Sequence, residues 1–167
     1  EESHIINLIE ESGLAKKDYP LPSEPVVLDQ EGCRYRPHVF GIRTGQDLKI
    51  LNPDGTLHNV HALCKINPEF NMAMPQFRKE MTAKFDKLET TPVPLKCDVH
   101  PWMGAWVAVM PHPFFSVTKP DGTFEISNLK AGTYEIEAWH EKAGTQVQKI
   151  TIGANETKTV DFTFSKK

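Results

Sequence analysis

Cys97-Asp98-Val99-His100-Pro101-Trp102-Met103 decides how this chain is read. A thiol, an imidazole and a thioether fall at i, i+3 and i+6 of one short loop. Upstream lies Thr56-Leu57-His58-Asn59-Val60-His61, which offers two more imidazoles. Soft sulfur donors with imidazoles suit a copper ion: two His and a Cys in one plane with a weak axial Met make the type 1 arrangement. Any one of these residues alone has a plain explanation, such as a small buried Cys or a Met filling a core. Their coincidence in seven residues does not. Residues three apart in a strand point to opposite faces, so only one of His58 and His61 is expected to face the metal.

The C-x-x-H-P-x-M loop resembles the C-terminal ligand loop of the cupredoxins, nearest the amicyanin and plastocyanin group. His58-Asn59-Val60-His61 resembles the segment that carries that group's first histidine. The resemblance spans roughly Val26 to Met110. It implies one type 1 copper ion held by His58, Cys97, His100 and Met103, with His61 beside the site or on the surface. The implied fold is a Greek-key β-sandwich.

The remaining sequence agrees with an all-β chain. It has 167 residues, 39% of them hydrophobic, enough for a domain and a small module. Net charge is −3, and no basic face points to nucleic acid. No apolar run reaches the roughly 18 residues of a membrane span. The chain starts at Glu1 rather than Met, so a processed export signal or omitted anchor is expected. Thiol reductants compete less for copper outside the cytoplasm, so a periplasmic or otherwise exported position is expected. With Cys97 on the metal, Cys33 and Cys64 remain: a disulfide suited to an oxidising compartment, two free thiols, or Cys33 as an additional ligand.

Residues 1–25 read as an arm or linker. Ile5, Ile6, Leu8 and Ile9 suggest a short amphipathic helix ending near Gly13, followed by the proline-rich Tyr19-Pro20-Leu21-Pro22-Ser23-Glu24-Pro25. Residues 26–112 form the copper domain. Tyr35 to Ile42 reads as one strand, with Pro37 marking an edge or bulge. Asp47 to Asn52 alternates with period two. His38 is read as a strand-edge residue making a structural hydrogen bond, with a metal role beside Cys33 as the alternative. Met72, Met74 and Met81 are read as adaptable packing. Residues 113–167 repeat turn-and-strand signals: Phe124–Ile126, Tyr134–Trp139, Val147–Ile152 and Thr157–Phe164. Their D-G-T-F-x-I-x-N-L-x-A-G-T-Y-x-I-x-A pattern resembles the carboxypeptidase regulatory-like, transthyretin-like modules, a small β-sandwich. Such modules bring further N-terminal strands, so this one is either truncated or completed by residues from the N-terminal half.

No G-x-S-x-G elbow or phosphate loop is present. Zinc would not select a methionine, and no H-x-H cluster supplies a second copper centre. The expectation is therefore a non-enzymatic carrier of single electrons. Its expected partner is a redox protein such as a c-type cytochrome or a membrane oxidase complex, in a membrane-associated assembly. Two alternatives stay open: a copper-binding structural or carrier subunit of a larger respiratory complex, and a copper enzyme with an open coordination position.

Overall fold

Short runs of Val, Ile, Leu and aromatic residues, punctuated by Gly, Pro, Asn and Asp, give strands and turns. The computed structural model describes residues 3–9, 14 and 17–165, and no α-helix occurs among them. Its strands are β1 (Ile5–Leu8), β2 (Val26–Gln30), β3 (Tyr35–Arg36), β4 (Val39–Arg43), β5 (Asp47–Leu51), β6 (His58–Ala62), β7 (Phe70–Met74), β8 (Glu80–Lys84), β9 (Val93–Lys96), β10 (Gly104–Met110), β11 (Phe115–Val117), β12 (Gly132–His140) and β13 (Gly144–Ile152). The chain divides into two compact units. One is Pro20–Pro111; the other joins Glu1–Tyr19 to His112–Lys167.

Pro20–Pro111 is a two-sheet β-sandwich. A five-stranded sheet in the order β4-β10-β9-β6-β7 and a four-stranded sheet in the order β3-β2-β5-β8 share one core. β5 shows how the sequence builds it: Leu48 and Ile50 are fully buried and alternate with Asp47, Lys49 and Leu51. Each such side chain contributes about 1.5–3 kcal/mol by leaving water. Tyr35 to Ile42 is two strands rather than one. The chain changes sheets at Pro37-His38, so β3 and β4 lie in different layers; proline cannot donate to a ladder there. The His38 Nδ1–H donates to Gly104 O at 2.9 Å, a structural role. Met74 is a buried core residue, and Met72 and Met81 pack against that core. The proline-rich stretch is tied down where Gln46 Nε2 donates to Glu24 O at 2.9 Å.

The other unit is a four-stranded sheet in the order β11-β1-β12-β13. The helix expected over Ile5–Ile9 does not form: Ile5–Leu8 is a strand paired antiparallel on both sides. The expected end at Gly13 lies outside the described residues. Paired β-branched residues favour the pleated sheet, and all four residues of β1 are buried, as befits an inner strand. The module is thus completed from the chain's beginning. Phe124–Ile126 and Thr157–Phe164 join no ladder. Their apolar side chains, Phe124, Ile126, Val160, Phe162 and Phe164, still pack on the Ile6, Tyr134, Ile136 and Ala138 cluster. The amides of Gln146 and Gln148 on β13 hold that last stretch through Thr163 O and Asp161 O, each at 2.7 Å. Side-chain amides thus take the place of a ladder along β13.

Candidate metal centre

The strand pairing places the donors. β9 and β10 pair with Lys96 opposite Gly104, so the Cys97–Met103 loop is a tight connection between neighbouring strands. β6 pairs with β9 on its other side, which carries His58 to the same end of the sheet. The loop closes on itself. Met103 N–H donates to His100 O at 2.9 Å, Cys97 N–H to Met103 O at 3.3 Å, and His100 N–H to Cys97 Sγ at 3.4 Å.

His58 is wholly buried. Its Nε2–H donates to Asp54 Oδ2 at 2.9 Å, which leaves the Nδ1 lone pair free for another partner. That Nδ1 faces His100 Nδ1 at 3.0 Å. Cys97 Sγ lies 3.8 Å from the same His100 nitrogen. Nitrogen and sulfur donors about 2.0 and 2.3 Å from one ion stand no more than about 4.3 Å apart, so these separations fit a shared metal. A ligating imidazole oriented through its other nitrogen by a carboxylate is the usual supporting arrangement. Met103 is buried at the foot of the loop. His61 points elsewhere, its ring between Asp98 and Glu69; its hydrogen bonds to these carboxylates, Glu69 first and then Asp98, raise its pKa.

Several residues that the sequence reading passed over build the surroundings. Asp54 also accepts the N–H of Gly32 at 3.0 Å and of Cys33 at 2.9 Å. The Cys33 N–H, the His58 ring and the Gly32 N–H together hold its carboxyl down at about 2. Asn59, next to His58, accepts the Asp98 N–H through Oδ1 at 2.7 Å and a 3.3 Å contact from Cys97 Sγ at the same oxygen. Its Nδ2 donates to Asn71 Oδ1 at 2.7 Å. Tyr35 donates its hydroxyl to Asn59 O beside Cys97. Burial, with Cys97 and Asp98 close by, pushes the Tyr35 pKa well above its ordinary value, so it stays a neutral donor. The signal for these residues was position: Asp54 stands four before His58, and Asn59 directly after it.

Cys33, Cys64 and Cys97 are all free thiols, so the disulfide considered for Cys33 and Cys64 does not form. Cys64 lies near Glu89 and Glu69; burial first, then these carboxylates, push its thiol up to about 11. Cys33 instead lies beside the two histidines: one donor atom each of Cys33, His58 and His100 lie within 4.8 Å of one another, and Cys97 Sγ reaches this group through its 3.8 Å contact with His100 Nδ1.

Residues 100–165 match the model of the carboxypeptidase regulatory-like domain. Among solved structures the chain is similar to a Cu(I) form of an amicyanin variant, at 17% identity and a TM-score of 0.46, over 57% of this chain and 89% of that one. It is also similar to a copper-containing nitrite reductase from Thermus scotoductus SA-01, at 19% identity and a TM-score of 0.46, over 56% of this chain and 24% of that one. No curated protein matches the chain. Likenesses this distant carry nothing about chemistry, which rests on the side chains.

Proposed function

We propose that the chain is a type 1 copper protein that carries single electrons, rather than an enzyme. The observation that carries this reading is that His100 Nδ1 is in contact with both His58 Nδ1 and Cys97 Sγ, with Asp54 fixing the His58 tautomer. Copper bound there supplies a one-electron couple. The protein's part is to hold the donors still. His58 sits on β6, and Cys97, His100 and Met103 sit on a loop braced by its own hydrogen bonds, so the donors have little room to rearrange between oxidation states. Met103 would offer the ion its thioether and would tune the potential.

Electrons leave through His100. Its ring lies 5.1 Å, centroid to centroid, from that of Trp102. Trp102 is 68% exposed, and the neighbouring Val99 is also exposed. A small apolar surface of this kind suits a brief encounter with another redox protein, such as a c-type cytochrome or a membrane oxidase complex. We place the protein in the periplasm or another exported compartment, where thiols compete less for copper. Among the described residues no helix is long and apolar enough to cross a membrane.

The test is the visible and EPR spectra of the copper-loaded protein beside Cys97→Ser. A type 1 spectrum, an intense thiolate-to-copper band with a small parallel hyperfine splitting, is expected, and that type 1 signature should not survive in the variant. A tetragonal Cu(II) spectrum that survives the substitution would overturn the reading.

A further inference from the structure

We propose that Cys33 is a second thiolate ligand of the same metal ion, so that the centre is a two-cysteine, two-histidine site rather than a one-cysteine site. The inference rests on the copper reading above and deepens it. Its first support is the convergence of one donor atom each from Cys33, His58 and His100 within 4.8 Å. Nitrogen and sulfur donors on one tetrahedral ion stand about 3.5 Å apart, so the widest pair has to close by up to about 1.3 Å on binding. Rotation of a cysteine about χ1 between its staggered wells moves sulfur further than that.

The second support is how the Cys33 loop is held. Gly32 and Cys33 both lie in the left-handed region, at φ 65° and 53°. Glycine accepts that backbone without strain, whereas cysteine is uncommon there. Backbone strain of this sort persists where surrounding contacts enforce it, and it gathers at functional sites. Here the contacts are specific. Asp54 takes the N–H groups of both residues and the Nε2–H of His58 on the same oxygen as Cys33. On the other side, Trp102 Nε1–H donates to Cys33 O at 3.0 Å. Cys33 is therefore pinned to both segments that carry the histidines. Its thiol is free and partly exposed, with no disulfide to occupy it.

The chemistry follows from the count of charges. Binding a divalent ion through Cys33 and Cys97 converts two S–H groups to thiolates and releases two protons to solvent; no electron moves in that step. Two anionic sulfurs favour the more highly charged oxidation state, so Cys33 lowers the copper potential relative to a chain without it.

Cobalt(II) reads the thiolate count without copper redox chemistry. The protein is loaded with Co(II), and the sulfur-to-cobalt charge-transfer intensity is compared across wild type, Cys33→Gly, which suits the left-handed backbone, and Cys33→Ser. X-ray absorption of the Cu(I) forms counts the sulfur ligands independently. We expect the cobalt band to fall by about half in both variants, from two thiolates to one, with one fewer short copper–sulfur distance and a raised potential. A full-intensity cobalt band with an unchanged sulfur count in folded Cys33→Gly would overturn the proposal. In that case a Cys97→Ser variant that loses the band leaves the single-thiolate copper reading standing. A Cys97→Ser variant with the wild-type spectrum would sink both.

Discussion

Asp54 Oδ2 stands 2.9 Å from His58 Nε2, so a surface-facing carboxylate reaches a wholly buried ring. The bond sets which nitrogen of His58 carries the proton, and therefore which one faces His100. Asp54→Asn leaves the side chain in place but weakens acceptance at Oδ2 and removes the charge. Changes to such supporting partners cost about 10–100-fold in metal affinity, and a loss in that range is expected from chelator competition. Affinity unchanged within twofold would mean that strand β6 alone orients the ring.

Trp102 offers a separate handle, because its ring is mostly outside while its Nε1–H holds Cys33 O. Trp102→Glu puts a charge on the proposed exit patch. Like charges then meet whenever two copies dock, so electron self-exchange should slow at low ionic strength and recover partly with salt. NMR line broadening in mixtures of the two oxidation states measures it. Exchange as fast as in wild type would move the exit away from His100 and Trp102.

Glu89 makes a prediction about stability instead. It is 4% exposed and accepts the N–H groups of Ile66 at 3.0 Å and Asn67 at 2.7 Å, with Asn67 Nδ2 at 2.9 Å. Burial pushes its pKa up, but the donors of Asn67, Ile66 and Lys65 outweigh that and leave it lowered from 4.5. A lowered carboxylate stabilises the fold fully above its ordinary value, and that contribution fades as pH falls through the folded pKa. Glu89→Gln should cost about 1–3 kcal/mol at pH 7. The gap to wild type should narrow toward pH 3 in urea unfolding. An equal gap at both pH values would assign the effect to packing rather than charge.

The proximity of Cys97, His100 and His58 was legible because donor residue types recur at fixed spacing on one loop, and the fold does bring Cys97 and His58 into contact with His100. β5 was legible because its alternation matches the pleat. The failures have physical causes. Ile5, Ile6 and Leu8 show no alternation, since an inner strand buries both faces and so mimics one turn of an apolar helix. Tyr35 to Ile42 keeps one strand-like composition across a change of sheet. Thr157–Phe164 alternates as a strand does because its Phe and Val side chains face a core, yet its backbone meets glutamine amides instead of a ladder. Asp54 gave no pattern, and Cys33 was legible only as one of three open options, since their contact spans two turns that only the folded chain brings together.

The dependence of the C-terminal module on β1 yields the last prediction. β1 pairs with β11 through Ile5, Ile6 and Asn7, and with β12 through Ile5 to Leu8. Removing it leaves inner ladder groups of both neighbours without partners and uncovers the apolar face around Tyr134, Ile136 and Ala138. Each buried backbone group left unpaired costs about 1–3 kcal/mol, and several together exceed the stability of a small module. A chain beginning at Pro20 should therefore show collapsed amide dispersion for residues 112–165, while signals of Pro20–Pro111 stay dispersed. Ile6→Ala in the full chain is the milder test: truncation of a buried isoleucine costs about 2–5 kcal/mol, enough to lower the melting of this unit alone. Dispersed signals for 112–165 in the shortened chain would show that β11, β12 and β13 fold without the N-terminal strand. The module would then be complete in itself.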